Sequence, residues 1–215
     1  VQKLFDVQPN LQQGRNDYVL QRVVIPQTVT VHLGRPDAAR QNVTVPFRTY
    51  LKSVAASEIY PTWPENAIRA NVYAQVTFAL NRIYTEWYRS RGYPFDITSS
   101  TSYDQKFIKN RNIFENISRI VDEIFNTYIR KLGTINPYYA EYCDGRQVWC
   151  NGLKQWGTVD LANKGYNAFE ILKYYYGSDI ELITTNRIPT EDISAHKYWP
   201  EGQTVPAQPV YQQPA

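Results

Sequence analysis

Apolar residues recur at helical spacing from Pro46 onward. Phe47, Leu51 and Val54 are separated by four and three residues, and Glu58 follows four residues later on the same helix face. A proline at the first helical position is typical of a helix start. The pattern therefore predicts a helix whose otherwise apolar face ends in a carboxylate.

A second helix is predicted to begin after Thr62, because Thr62 and Glu65 have the spacing of a capping box and Pro64 falls in the first turn. It should run to about Arg91, where Gly and Pro residues follow. Its apolar stripe consists of Ile68, Val72, Val76, Ala79, Ile83 and Trp87. Gln75 falls on the same stripe, and a polar side chain there needs a hydrogen-bonding partner or a site.

The rest of the chain contains shorter patterns. Strands are predicted at 23–33, 41–45 and 180–185, and a strand or loop at 95–101. Helices are predicted at 112–132 (with Asn112 and Glu115 at cap spacing), 158–164 and 168–176 (with Asn167 as cap). The predicted fold class is α+β, with a mainly helical core of about five helices, a small antiparallel sheet and a substrate groove.

Composition divides the chain into three predicted parts. Residues 1–20 are polar and rich in Gln and Asn, which predicts an extended N-terminal arm. Residues 21–188 have the length and pattern of one domain. Residues 189–215 are rich in Pro and Gln, which is typical of a linker or tail leading to another module.

Bulk properties narrow the class of protein. Hydrophobic residues make up 43% and charged residues 20%, which is typical of a globular domain. A net charge of +3 with mixed signs argues against nucleic-acid binding, and no apolar run approaches the roughly 20 residues of a membrane span. The 18 Tyr and 5 Trp suit a surface that stacks on sugars, although interior packing accounts for most aromatic residues in any protein. No interface signal is visible, so we expect a monomer.

Glu58 is the one charged residue in the stretch VAASEIYPTWP, residues 54–64. Burial against Trp63 or Tyr60 would raise its pKa, and a carboxylic acid held protonated near neutral pH is a competent general acid. Two structural interpretations are alternatives to the general-acid role. In one, Glu58 pairs with a cation such as Arg69, and in the other it is an exposed acid at a helix end.

Residues 99–105, SSTSYDQ, form a polar loop with one carboxylate, Asp104. Such a loop can bind sugar hydroxyls, but a plain Ser/Thr turn is the commoner case.

The cysteines Cys143 and Cys150 have six residues between them. That spacing is compatible with a disulfide, with free thiols or with half of a zinc site. Zinc needs about four ligands, and the two histidines, His32 and His196, lie far away in sequence. A cysteine nucleophile would lack an obvious base. The sequence also contains no G-x-S-x-G elbow, phosphate-binding loop or dinucleotide fingerprint.

Three segments together resemble the stage II sporulation protein D family. The segment VPFRTYLKSVAASEIYPTWPENAIRANVYA resembles the opening of that domain, SSTSYDQKF resembles its S-T-x-x-D-Q-x-Y motif, and NGLKQWGTVDLANKGYNAFEILKYYYG resembles its G-M-S-Q-Y-G motif and the helices after it. The motifs occur in the family's order over residues 43–185. The resemblance is closest to the spore-cortex-lytic enzymes of clostridia, in which a peptidoglycan-binding module follows this domain.

The resemblance implies a peptidoglycan lytic transglycosylase. Glu58 matches the family's catalytic glutamate, which would cleave the bond between N-acetylmuramic acid and N-acetylglucosamine and leave a 1,6-anhydro ring. The substrate-binding residues that it implies are Trp63, Thr101, Tyr103, Asp104, Gln105, Gln155 and Trp156. The expected partners are peptidoglycan glycan strands, an adjacent peptidoglycan-binding module and a processing protease. The expected location is the spore cortex or cell wall outside a Gram-positive cell.

The sequence departs from the family pattern around the second cysteine. Where the family has a histidine, this chain has Trp149 and Cys150. Some family members bind zinc there, but without the histidine a disulfide between Cys143 and Cys150 is favoured, and no metal or cofactor is expected. Two other functions remain open: a non-catalytic glycan-binding enhancer of an amidase, and an N-acetylmuramoyl-L-alanine amidase, which the shortage of metal ligands disfavours.

Overall fold

The computed structural model of the protein describes residues 23–185. The predicted arm at 1–20 and the predicted tail at 189–215 lie outside the described residues, and the domain limits at 21 and 188 stay predictions.

Helices and short strands alternate along the described part of the chain. The helices are α1 (Phe47–Glu58), α2 (Glu65–Tyr84), α3 (Glu115–Ile124), α4 (Gln155–Asn163) and α5 (Ala168–Tyr176). The strands are β1 (Thr28–His32), β2 (Asn42–Pro46), β3 (Ile97–Thr98), β4 (Thr127–Lys131), β5 (Tyr142–Cys143), β6 (Leu153–Lys154) and β7 (Ile180–Thr184). The predicted α+β class with five helices is confirmed.

The strands form three small sheets. In the first, with strand order β2–β1–β3, β1 pairs antiparallel with β2 and parallel with β3. The second pairs β4 antiparallel with β7, and the third pairs β5 parallel with β6. The predicted antiparallel strands are therefore present, with two parallel pairings that the sequence pattern did not reveal.

Helix α2 is the centre of the core. Its buried side chains lie all around the helix rather than along the predicted stripe. It packs against α1 and α3 on one side and against α4, α5 and β4 on the other. A helix that is enclosed on all sides must satisfy its polar residues internally, which makes its buried Gln75 and Asn71 informative. Within residues 23–185, no helix is long and apolar enough to span a bilayer.

Two predicted helices are too long. The second ends at Tyr84 rather than near Arg91, because the chain turns at Glu86, whose φ is +47°, and Arg89–Arg91 form a separate 3₁₀ turn. The third was predicted to reach residue 132 but ends at Ile124. The following residues, Thr127–Lys131, are rich in β-branched and aromatic side chains and pair with β7 instead.

Two of the three predicted helix caps are wrong. The N-cap position of α2 is Pro64 and that of α3 is Phe114, and neither has a side-chain cap hydrogen bond, since both helices begin later than the Thr62 and Asn112 signals indicated. The cap at Asn167 is confirmed. Its side chain accepts a hydrogen bond from the Glu170 backbone, and the Glu170 side chain accepts one from the Asn167 backbone.

Candidate active site

Glu58 is the last residue of α1, and it is held by donors from three other parts of the chain. Oε1 accepts the backbone N–H of Lys106 at 2.8 Å. Oε2 accepts both the Gln75 amide at 2.8 Å and the Tyr142 hydroxyl at 2.7 Å. The side chain nevertheless remains partly exposed to solvent. The carboxyl group is therefore fixed in position by three donors, on a residue that is only half-buried.

The protonation of Glu58 is set by opposing effects. Burial raises the pKa of Glu58 from 4.5 to about 7, although the hydrogen bonds from Lys106, Tyr142 and Gln75 act to lower it. Desolvation disfavours the charged carboxylate, whereas each donor stabilises it. With a pKa near 7, both the acid and the carboxylate are populated at neutral pH, which suits a group that must give and then take a proton.

The alternative of an ion pair with Arg69 is wrong. Arg69 donates to Glu65 at 2.8 Å and also pairs with Glu123, on the surface formed by the starts of α2 and α3. None of the groups that hydrogen-bond to Glu58 is a basic side chain, because Lys106 donates its backbone N–H.

Gln105 lies behind the candidate acid rather than in contact with solvent. It accepts from the Tyr50 hydroxyl at 2.9 Å and donates at 3.0 Å both to the Tyr142 hydroxyl and to the Gln75 carbonyl. Its side chain is fully buried. The predicted contact of Gln105 with substrate stays a prediction, and in this geometry Gln105 supports Tyr142 and the Gln75 backbone.

Asp104 is also enclosed and neutralised. Its carboxylate pairs with Arg82 at 2.8 Å and accepts hydrogen bonds from the Tyr88 hydroxyl and from the backbone and hydroxyl of Thr98. The Asp104 side chain is 0% exposed. The predicted substrate-binding role of Asp104 stays a prediction, and the contacts of its carboxylate tie the polar loop to α2, to Tyr88 and to β3.

Thr101 and Tyr103 lie on the outer part of the same loop. Thr101 is exposed, and Tyr103 is half-buried with its hydroxyl accepting from Arg35 at 3.0 Å. Neither is hydrogen-bonded to Glu58. Their predicted contact with substrate stays a prediction.

Three aromatic rings contact one another in a continuous patch, and two of the three residues follow Glu58 closely in the sequence. Tyr60 and Trp63 follow Glu58, and their ring centroids are 5.6 Å apart. Trp156, near the start of α4, lies 4.8 Å from Trp63 and 5.6 Å from Tyr60. Tyr60 is 55% exposed, so the patch reaches solvent. The predicted residues Trp63 and Trp156 are thus brought together, and Tyr60 joins them.

Gln155, the residue before Trp156, is buried at the first position of α4. Its Nε2 has no hydrogen-bonding partner within residues 23–185. Burying an amide donor without a partner is costly. The predicted substrate-binding role of Gln155 therefore stays a prediction. Its Nε2 amide group is available to donate to a water or ligand.

The structure joins Cys143 and Cys150 in a disulfide, the pairing that the resemblance favoured. The bond closes a loop that starts directly after Tyr142 and ends just before β6. In the part of the chain that the structure describes, no group of three or more His, Cys, Asp and Glu side chains is placed to hold a metal ion.

The three groups that hydrogen-bond to Glu58 show which parts of the site could be predicted from the sequence. Gln75 was identified as a polar residue in need of a partner, and Glu58 is that partner. Tyr142 was missed because it lies in a two-residue strand with no periodic pattern. Lys106 was missed because it acts through its backbone N–H, which its residue type does not reveal.

The fold and site define an α+β domain with a glutamic acid whose pKa is near neutrality, followed two residues later in the chain by the first ring of an aromatic patch. Residues 37–129 match the family model described as SpoIID: Stage II sporulation protein. The resemblance to the stage II sporulation protein D family is confirmed over these residues. That family implies a sporulation-related role at the cell wall.

The matched segment contains Glu58, Gln75 and the polar loop, but it ends within β4. Tyr142, the disulfide and Trp156 lie beyond it, so their assignment depends on the geometry alone. Comparison with curated proteins found no significant match.

Proposed function

We propose that this protein is a peptidoglycan lytic transglycosylase that cleaves the glycan bond between N-acetylmuramic acid and N-acetylglucosamine. The observation that carries the proposal is Glu58, a half-buried residue whose carboxyl group accepts from three hydrogen-bond donors and has a pKa raised to about 7 by burial. The family's role at the cell wall supports peptidoglycan as the polymer.

The proposed reaction uses Glu58 twice. Protonated Glu58 donates its proton to the glycosidic oxygen as that oxygen leaves the muramic C1. The resulting carboxylate then takes the proton of the muramic C6 hydroxyl, whose oxygen bonds to C1 and closes the 1,6-anhydro ring. The proton balance closes, because the acid is regenerated and no water enters the product.

One acid is enough for this reaction, whereas most glycoside hydrolases use a pair of carboxylates. Within residues 23–185, the groups hydrogen-bonded to Glu58 are an amide, a phenol and a backbone N–H, and none is an acid. Asp104, the carboxylate of the polar loop, is paired with Arg82. We therefore propose an intramolecular hydroxyl, rather than a carboxylate or an activated water, as the nucleophile.

The exposed ring of Tyr60 is proposed to hold a sugar ring, since aromatic faces suit the apolar faces of sugars, and the buried Trp63 is proposed to position Tyr60. We further propose that the protein acts as a monomer on glycan strands of the spore cortex or cell wall, outside the cell. An adjacent peptidoglycan-binding module and a processing protease are the partners that this proposal includes.

Mass spectrometry of the products tests the proposal. Purified cortex peptidoglycan digested with the protein should yield muropeptides with anhydromuramic ends, each one water lighter than the hydrolytic product. Reducing muramic ends would indicate a hydrolase instead. Released stem peptides would indicate an amidase, and binding without any product would indicate the non-catalytic enhancer.

The pH profile offers a second prediction, through Tyr142→Phe. Cleavage needs protonated Glu58, so kcat/KM should fall as pH rises through about 7. The Tyr142 hydroxyl stabilises the carboxylate, and its removal should raise the pKa of Glu58 further. The fall in kcat/KM should then move upward by about one to two pH units, given the roughly 1.5–3 kcal/mol of a hydrogen bond to a charged group.

Tyr176→Phe is the matched control for this profile. Tyr176 is also buried, and its hydroxyl donates to the Glu141 carbonyl at 2.9 Å rather than to Glu58. The control should keep the wild-type pH profile. An unchanged profile for Tyr142→Phe, or an equal shift in both variants, would refute the coupling between Tyr142 and the acid.

A further inference from the structure

Arg146 lies directly over the ring of Trp156, with its guanidinium carbon 3.5 Å from the ring centroid. Arg146 belongs to the loop closed by the disulfide, residues 143–150, which we call the disulfide loop. Stacking on tryptophan is a favourable position for arginine, because the ring face attracts the cation while the N–H edges stay free to bind.

The disulfide loop is held in one conformation from inside. The Asp144 carboxylate accepts the backbone N–H groups of Arg146, Gln147 and Val148 at 2.8–3.2 Å. The Asp144 carbonyl accepts the Trp156 backbone N–H at 3.2 Å. The loop is therefore anchored both by its disulfide and to the start of α4, and this anchoring sets the position of Arg146 over Trp156.

Arg146 is not part of an ion pair among residues 23–185. Its side chain is exposed, and within residues 23–185 no carboxylate lies at ion-pair distance from it. Asp144, the nearest acid in sequence, uses its carboxylate for backbone N–H groups of the loop. A fixed arginine without a counter-charge is suited to an anionic ligand, and a carboxylate matches its fork of donors.

The disulfide loop also adjoins the candidate active site. Tyr142, which donates to Glu58, immediately precedes Cys143. On the other side, the ring of Trp156 under Arg146 packs against Tyr60, two residues after Glu58. A strand bound on the aromatic patch would therefore pass the Arg146 guanidinium close to the bond being cleaved.

We propose that Arg146 is the carboxylate-recognising residue of the glycan site, and that it makes the protein favour muramic residues with a charged substituent over neutral muramic lactam. This inference rests on the proposed function. The carboxylate comes either from a free lactyl group or from the stem peptide, and both sources offer the same ligand chemistry. Muramic lactam has neither, because its lactyl carbonyl is bound in a neutral amide.

Three purified substrates test this inference: strands with free lactyl groups, strands with stem peptides and strands with muramic lactam. Wild-type protein should have a kcat/KM about 10-fold or more higher on at least one carboxylate-bearing substrate than on the lactam strands. Arg146→Gln should lose that preference by falling on the carboxylate substrates alone, and Arg146→Lys should retain part of it. The substrate that responds identifies the source of the carboxylate.

Arg91→Gln is the matched control, because Arg91 is also an exposed arginine stacked on a tryptophan, with its guanidinium carbon 3.9 Å from the ring centroid of Trp87. It should leave all three rates unchanged. Equal wild-type rates on acid and lactam strands, or an equal fall on every substrate in Arg146→Gln, would overturn the inference.

Binding measurements distinguish a failure of this inference from a failure of the proposed function. If wild-type protein cleaves none of the three substrates, the proposed function fails. Affinities of Glu58→Gln, with and without Arg146→Gln, for the same strands then decide the role of Arg146. Tighter binding of carboxylate strands that depends on Arg146 supports it, and equal binding refutes it.

Discussion

Glu58→Gln should lower the rate of glycan cleavage by about 10²- to 10⁴-fold, the usual contribution of a general acid or base. Glutamine keeps the shape of the protonated side chain but can neither give nor take the proton. The measurement is the release of anhydromuramic products from purified cortex at pH 6, where wild-type Glu58, with its pKa of about 7, is mostly protonated.

The fold should survive this substitution. The pKa of Glu58 in the folded protein is raised above 4.5, so the native state binds the proton more tightly than the unfolded chain. Stability is therefore lost as pH rises from about 4.5 to about 7, where the buried carboxylate becomes charged. Glu58→Gln removes this loss, so its free energy of unfolding should fall less than that of wild type between pH 5 and pH 8.

Glu65→Gln serves as the control for both measurements. Glu65 is an exposed acid that pairs with Arg69 and Arg119 at the start of α2, away from the groups that hold Glu58. Its loss should leave cleavage unchanged and lower stability by less than about 1 kcal/mol. Near-wild-type cleavage by Glu58→Gln would show that another group supplies the proton.

Asp104→Asn should lower the free energy of unfolding by about 3–5 kcal/mol, the range for breaking one side of a buried ion pair. Arg82 would keep its charge, although its side chain is only 7% exposed. The hydroxyls of Tyr88 and Thr98 would lose a charged acceptor at the same time. Urea unfolding monitored by circular dichroism measures the change.

Asp122→Asn provides the comparison for that loss. Asp122 pairs with Lys52 at 2.7 Å, but its side chain is 43% exposed, so the pair should contribute less than about 1 kcal/mol. A stable Asp104→Asn protein with weakened glycan binding would show that Asp104 is a substrate-binding residue. A destabilised protein that binds glycan normally once folded would confirm its structural role.

Local patterns predicted those parts of the fold that depend on local interactions. The apolar positions of α1 and the cap at Asn167 specify helices that the structure contains. The third helix was predicted too long because residues 127–131 continue an apolar pattern, and only their pairing with β7 makes them a strand. Such long-range pairing is not visible in local periodicity.

The candidate site also contains residues that the sequence pattern predicts and residues that depend on long-range contacts. Glu58 and Gln75 stood out because each is polar on an apolar face, a signal that the sequence shows directly. Lys106, the residue after the polar loop, donates to Glu58, but Asp104 and Gln105 of the loop are enclosed by protein groups. Polarity alone does not distinguish a side chain that binds ligand from one that satisfies buried partners. Tyr142 and Arg146 depend on how the disulfide loop folds back onto α1 and α4, which no motif shows.

Cleavage in heavy-oxygen water tests the central claim most directly. If Glu58 returns its proton from the muramic C6 hydroxyl, the new muramic ends should contain no oxygen from solvent and should resist reduction by borohydride. Mass spectrometry of the wild-type products should show unlabelled anhydromuramic ends, and Glu58→Gln should show no such ends. Heavy oxygen at the muramic C1 would show that water is the nucleophile and would contradict the proposed mechanism.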